Sequence, residues 1–296
     1  MNQGDDIAGL IHAVGPNITE FHLGDRVAAF HEMCTPHGSY AEYALAWAYT
    51  TFHLPTKTSF EEAAALPLAA MTAAIGLYRS NRLALPEPWA PVSEKLPLVV
   101  YGGATAVGSY VLQFAKRSNF HPLIVVAGRG AEHVEGLIDR SKGDAIVDYR
   151  GGDEAVVSGI KDALKKAGVE KVEYVFDAVS EKGSSNNIAK VLDPHGKITC
   201  VLPVKDDDGP ESIVRTMTMV GSVHSDETDE RDFGSVYFRY IGRALQEGWF
   251  KAHPTEVVKG GLAGVQEALT NLKEGKASAV KYVFRVQETE GAGRDE

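Results

Sequence analysis

The sequence predicts an α/β fold built on a doubly wound parallel sheet, and three observations carry that prediction. A short apolar run, Leu98, Val99, Val100 and Tyr101, turns through Gly102 and Gly103 into a stretch where Val107, Tyr110, Val111, Phe114 and Ala115 recur at helical spacing. A second apolar run at 123–127 closes a strand–helix–strand unit. From there to about residue 223 strand and helix patterns alternate, as in a parallel sheet covered on both faces.

Global properties narrow the class. The 296 residues suffice for two domains with sizeable cores, and the 44% hydrophobic and 24% charged fractions are those of an ordinary globular chain. A formal net charge of −10 argues against nucleic acid or an anionic membrane as the main partner. Cys34 and Cys200 cannot form a disulfide framework and fit a reducing compartment. The opening MNQGDDIAGL lacks the basic and apolar regions of a secretory signal, and no window reaches 18 uninterrupted apolar residues, so a cytoplasmic protein is expected.

In chain order, residues 7–14, 25–30 and 40–46 read as short strands separated by Gly- and Pro-containing turns. Ser59 and Glu62 have capping-box spacing, which starts an Ala-rich helix reaching about Leu66. Pro67 interrupts it, and a second helix is expected to about Leu83. Pro86, Pro88, Pro91 and Pro97 then form a stiff connector into the central strand. Beyond the second strand, helices are expected at 131–142, at 181–192 and along the face Val156, Val157, Ile160, Leu164 and Ala167, with strands at 145–149, 172–177, 197–202 and 212–223. Phe233, Val236, Tyr237, Tyr240, Ile241, Ala244 and Leu245 trace one further helical face, and Leu262, Val265, Ala268, Leu269 and Leu272 another. A strand at 279–286 has no evident partner in the parallel sheet and could complete the β-rich first segment. Residues 288–296 read as disordered.

The turn after the first parallel strand is the chemically informative part. A helix starting there aims unpaired N–H groups and its positive dipole end at the turn, where a diphosphate fits only if the turn residues are small. Gly102, Gly103, Ala104, Thr105, Ala106 and Gly108 are small enough, although GGATAVG departs from the strict GxGxxG fingerprint. About 20 positions beyond such glycines, an acidic residue would bind the ribose of NAD, whereas an Arg accommodates the phosphate of NADP. Arg129 holds that place, with a solvated loop cation as the other reading. Ligands in such folds lie across the carboxyl ends of the strands, so Tyr149, 177–180, Val201, Leu202 and 221–224 are expected to point toward the cofactor cleft. His31, Cys34 and His37 in HEMCTPH have metal-like spacing without an evident fourth ligand, and a surface loop is the competing reading.

Several strings at consistent spacing resemble the medium-chain dehydrogenase/reductase superfamily, in its zinc-independent quinone oxidoreductase and enoyl reductase branch. They are Gly4-Asp5-Asp6-Ile7-Ala8-Gly9, Gly24-Asp25-Arg26-Val27, Gly38-Ser39-Tyr40-Ala41-Glu42-Tyr43, Ala64-Ala65-Leu66-Pro67 with Thr72-Ala73, the YGGATAVG turn, Asp148-Tyr149-Arg150 and the closing stretch 275–284. The turn looks most like that of fungal trans-enoyl reductases. Zinc-dependent members carry Gly-His-Glu where this chain has Gly4-Asp5-Asp6, and four clustered cysteines that this chain cannot supply, so no metal is expected. Family members usually have strands of a GroES-like domain ahead of the first string, whereas this chain begins at that string, which implies a truncated or shortened member.

The resemblance implies a Rossmann-type NADP-binding domain at 71–230 and a partial, discontinuous GroES-like β-rich domain at 1–70 and 231–296. It makes Gly102, Gly103 and Gly108 part of the cofactor-binding turn, with Ala104, Thr105, Ala106 and Val107 along the diphosphate, Arg129 and Tyr149 at the adenosine phosphate, and Thr72, Val201, Leu202 and Ser278 at the nicotinamide half. A half-buried strand end is the alternative for Tyr149, and a helix-face hydroxyl bonded to its own backbone the alternative for Thr72. No general acid stands out; Asp177 suits a capping role at least as well. The implied activity is NADPH-dependent, zinc-independent reduction of an enone, enoyl thioester or quinone. The alternatives are an NADPH-binding protein without activity and a trans-acting enoyl reductase partnering a polyketide synthase. Residues 197–202 and the segment to Val223 lie where this superfamily often forms dimers, which adds a homodimer to the expected partners.

Overall fold

The computed structural model describes residues 4–204, 210–226 and 228–293. The chain forms two compact units, Met1–Met71 with Val220–Glu296, and Thr72–Met219.

The first unit opens with an antiparallel sheet in the order β1 (Asp6–Leu10), β2 (Arg26–Phe30) and β3 (Thr51–His53). β1 stops at Leu10, short of the expected 14, because the chain turns away after Ile11, which still bonds to the Asp25 carbonyl at 3.0 Å. The strand expected at 40–46 is absent. Residues 40–43 are bends, and Leu45 is tied instead to its own loop, its N–H donating to the His37 carbonyl at 3.0 Å. β3 escaped the sequence reading because three residues cannot show an alternation.

Helix α1 (Phe60–Ala63) starts at the expected capping box: the Glu62 N–H donates to Ser59 Oγ at 3.1 Å, and the Ser59 N–H donates to Glu62 Oε2 at 2.9 Å. Pro67 then opens α2 (Pro67–Tyr78), as a residue without an N–H can do at a first turn. Asp6 Oδ1 accepts from the Leu68 N–H at 2.7 Å, putting a carboxylate at the positive end of that helix. The stretch Phe60–Tyr78 has the length and apolarity of a membrane span, but most of it is buried in the protein, as in a core helix. α2 ends at Tyr78 and not near Leu83, because the Leu83 N–H turns back to the Gly76 carbonyl at 3.2 Å.

The second unit runs β4 (Leu98–Tyr101), α3 (Ala106–Arg117), β5 (Leu123–Ala127), α4 (Ala131–Glu135), β6 (Ala145–Asp148), α5 (Asp153–Lys166), β7 (Val172–Asp177), α6 (Ser184–Ala189), β8 (Leu192–Cys200) and β9 (Val214–Met217). Its six strands are parallel in the order β6-β5-β4-β7-β8-β9, so the strand order reverses at β4. Every residue of β4 and β5 is buried. Val99, Tyr101, Ile124 and Val126 pack on one face with Val156, Ile160 and Leu164 of α5, and the alternate residues Leu98, Val100, Leu123 and Val125 are equally buried on the other. Gly76 lets α2 reach this sheet: a Cβ there would lie 2.3 Å from the Phe176 ring of β7.

Three expected elements of this unit are shorter or shifted. The helix expected at 131–142 breaks after Glu135 at Gly136, and residues 140–142 form only a 3-10 turn. The helix expected from Glu181 begins at Ser184, because Ser180, Lys182 and Gly183 all have positive φ. β8 correspondingly starts at Leu192, ahead of Lys197. The strand expected at 212–223 is β9 alone, and 220–224 is a 3-10 turn of the first unit.

The first unit resumes with α7 (Thr228–Glu247), β10 (Thr255–Val258), α8 (Val265–Lys273) and β11 (Lys281–Phe284). The buried face of α7 is Tyr237, Phe238, Ile241, Ala244 and Leu245, with Phe238 stacked on Phe52 of β3 at 5.8 Å; Val236 is exposed. β11 pairs in parallel with β10, a strand the sequence reading missed, and does not join the β1-β2-β3 sheet. The disorder expected from Glu288 does not hold for the described residues. The Leu262 N–H donates to Thr289 Oγ1 at 2.9 Å and the Gly293 N–H to Glu42 Oε1 at 2.6 Å, while 294–296 lie outside the described residues.

Candidate functional site

At the end of β4 the backbone turns with Gly102 at φ +84°, and each glycine of the turn is required by a neighbour. A Cβ on Gly102 would lie 2.5 Å from Val179 Cγ2, one on Gly103 2.1 Å from Val125 Cγ1, and one on Gly108 2.3 Å from the Gly102 carbonyl oxygen. The third contact is what lets α3 start directly against the turn. Thr105 is its N-cap, Oγ1 accepting from the Gly108 N–H at 3.0 Å. The N–H groups of Ala104, Ala106 and Val107 find no acceptor among the described residues. Residues 104–107 are only half-buried. Three unsatisfied donors and the positive end of a 12-residue helix thus converge on a small-residue cradle suited to a diphosphate.

The next two strands supply a second corner. Ala127 of β5 is in register with Asp148 of β6, which sets Gly128 beside Tyr149. The Tyr149 ring covers Gly128 so closely that a Cβ there would lie 2.5 Å from Cε1 and 2.6 Å from Cζ. Tyr149 keeps 48% of its surface exposed, and Arg129 on the adjoining turn is exposed too. Tyr149 and Arg129 therefore lie on adjoining turns at the carboxyl ends of β6 and β5, in the same sheet as the glycine turn.

Asp177, at the end of β7, is fully buried, and burial raises its pKa above the ordinary carboxylate value. Its oxygens are committed: Oδ1 accepts from the N–H groups of Val179 at 3.0 Å and Ser180 at 2.8 Å, and Oδ2 from Ser184 Oγ at 2.6 Å. It caps the 178–184 turn. Ser180 Oγ accepts from the Val201 N–H at 2.9 Å, joining the ends of β7 and β8 and fixing Val201 beside the exposed Leu202. Thr72 is buried in α2 of the same unit, whereas Ser278 is exposed on the bend before β11 in the first unit. Gly221 to His224, expected at a strand end facing the cleft, form instead the 3-10 turn of the first unit.

One feature behind the turn was not foreseen. The Asn187 amide Nδ2 lies 3.3 Å from Tyr101 Oη and donates to Asp153 Oδ1 at 2.8 Å, a partly buried polar link across β4, α6 and the start of α5. The short polar helix sequence SSNNIA gave no local sign of this link. The HEMCTPH loop does not gather ligands: His31 Nδ1 contacts the Leu45 carbonyl at 2.6 Å, and Nε2 faces Thr35 Oγ1 at 3.2 Å. Among the described residues no three His, Cys, Asp or Glu side chains are grouped to hold a metal. A cavity of about 1460 Å³ opens in the first unit, bordered by β1, by Tyr43, Leu45 and Trp47, and by Phe284.

The sequence profile of the alcohol dehydrogenase GroES-like domain matches residues 1–56. The chain is 53% identical over 268 residues to trans-enoyl reductase fsr4 of Gibberella fujikuroi, covering 89% of this chain and 77% of that protein. Among solved structures, an alcohol dehydrogenase superfamily protein from Novosphingobium aromaticivorans shares the fold at a TM-score of 0.71, with 19% identity, over 92% of this chain and 77% of that one. Mycobacterial Rv1454c complexed with NADPH does so at a TM-score of 0.70, with 21% identity, over 95% and 81%. With a parallel six-stranded sheet behind its glycine turn and a relative this similar, the chain belongs to the medium-chain dehydrogenase/reductase superfamily, in its trans-enoyl reductase branch.

Proposed function

We propose that this chain reduces the activated C=C bond of an enoyl thioester with NADPH. The observation that carries the reading is the pairing of the three-donor glycine turn with the Gly128–Tyr149–Arg129 corner, one suited to a diphosphate and the other to a phosphorylated adenosine. The identity to fsr4, whose name is trans-enoyl reductase, supports the enoyl substrate over a quinone.

When bound, NADPH supplies a hydride for the β-carbon of the substrate, and a proton completes the reduction. The chain's own part is to bind and orient. The N–H groups of Ala104, Ala106 and Val107 hold the diphosphate, Tyr149 and Arg129 hold the adenosine end, and Thr72, Val201 and Leu202 are assigned to the nicotinamide half on family resemblance. The commitment of Asp6 to the Leu68 N–H and to Lys281 supports the zinc-independent reading. A reducing, cytosolic setting fits Cys34 and Cys200, which are not joined in a disulfide.

The test is coenzyme oxidation by the purified chain with a carrier-bound enoyl thioester, a free enoyl thioester, a simple enone and a quinone. Oxidation with the thioesters supports the reading, and preference for the carrier-bound form supports action in trans with a polyketide synthase. NADPH binding without turnover on any of the four would make the chain a coenzyme-binding protein and overturn the enzymatic reading.

A further inference from the structure

We propose that the Asp148–Arg150 ion pair sets coenzyme selectivity, Arg150 cancelling a carboxylate that would otherwise repel a 2′-phosphate at the Arg129–Tyr149 corner. This rests on the reading that the corner takes the adenosine end of NADPH. Asp148 is the last residue of β6, in register with Ala127, so its carboxylate belongs to the same rim as Gly128 and Tyr149. A carboxylate left uncompensated at that rim would disfavour a phosphate bound there by like-charge repulsion. Here the carboxylate is fully engaged. Arg150 Nε donates to both oxygens at 3.0 Å, Nη2 to Oδ2 at 2.5 Å, and the Arg150 backbone N–H to Oδ1 at 2.9 Å.

The grip works both ways. It leaves Asp148 no free geometry for a ribose hydroxyl, and it aims the Arg150 fork at the carboxylate and away from a phosphate. Arg150 holds the Asp148 carboxyl down to about 2, so the pair stays ionised and internally neutral at physiological pH. Tyr149 lies between the two along the chain, and Cα atoms are about 3.8 Å apart per residue. An uncancelled charge on Asp148 would therefore act within the roughly 10 Å over which salt leaves such fields felt. Both side chains are exposed, so their loss leaves the core intact.

The experiment is a fluorescence titration of the full chain with NADPH and with NADH, for wild type, Arg150→Ala, Asp148→Asn and the double variant. Arg150→Ala is expected to weaken NADPH about fivefold and leave NADH within about twofold. Adding Asp148→Asn to Arg150→Ala is expected to restore NADPH affinity to within about twofold of wild type, because the repelling charge is gone. A double variant as weak as Arg150→Ala would mean that Arg150 touches the phosphate itself, and equal weakening of both coenzymes would mean a merely structural role; either overturns the inference. Wild-type chain that binds neither coenzyme would instead overturn the adenosine-site reading, and this inference with it.

Discussion

The sheets of the two units are held together differently. In the second unit β4 and β5 are buried along their whole length, and both faces of the sheet are packed. In the first unit β1 is half-buried, Leu10, Leu45 and Trp47 are exposed, and the large cavity opens beside them. The contrast extends to the glycines. Gly102, Gly103 and Gly108 are each pressed against a named atom, whereas a Cβ on Gly9 of β1 would meet nothing within 4 Å. The glycine turn of the second unit is fixed by close contacts, so small changes there propagate; the β1 strand is loosely constrained and tolerates them.

The largest expected effect comes from Gly108→Val. The new side chain has backbone on its near side, which cannot move aside cheaply, so the substitution costs about 3 kcal/mol or more and abolishes coenzyme binding. Urea denaturation and NADPH titration measure both. A Gly108→Val chain of wild-type stability would break the comparison at its strongest point.

A pH effect on the first unit comes next. His224 lies against the rings of Phe30 at 4.9 Å and Tyr49 at 6.0 Å, and neither ring nitrogen has a hydrogen-bond partner among the described residues. Burial lowers its pKa to about 4, against the partial opposition of Glu32. Because the folded value lies below the unfolded one, the stability is fully present above about pH 6.5 and is lost as pH falls toward 4, with no further loss below. The ring is only half-buried, so solvent screening reduces the loss to about 1–2 kcal/mol. Stability curves across that window should flatten in His224→Phe, and an unchanged slope would show that the ring titrates normally.

Arg129→Ala should weaken NADPH about tenfold and leave NADH nearly unchanged, by loss of a charge-assisted contact to phosphate. Parallel titrations measure the ratio. The smallest effects belong to Gly9→Ala and Leu10→Thr, each within about 0.5 kcal/mol of wild type in urea. A large loss in either would mean that β1 is as tightly constrained as the glycine turn.

The same contrast explains what could be read from the sequence. β4, β5 and β7 and helices α3 and α5 were legible because each is a mainly apolar or aromatic run or a clean helical face that answers to local pattern alone. The glycine turn was legible because small residues at that spacing have few other uses. β3 (TFH) and β10 (TEVV) were not, since short strands that mix polar and apolar residues show no apolar run and are defined by partners distant in sequence: β3 by β2, and β10 by β11. The segment 40–46, read as a strand, pairs with no strand among the described residues and is held by its own loop instead. At the site, the family resemblance put Arg129 and Tyr149 at one adenosine phosphate without their geometry. That the tyrosine ring lies over Gly128 depends on the β5–β6 register, which no local pattern encodes.

The most direct test of the central claim is the titration of purified chain with NADPH and NADH, with Arg129→Ala alongside. The account predicts saturable binding of NADPH at least about tenfold tighter than of NADH, with the difference removed in the variant. Equal affinity for the two coenzymes, or no saturation by either, would contradict it.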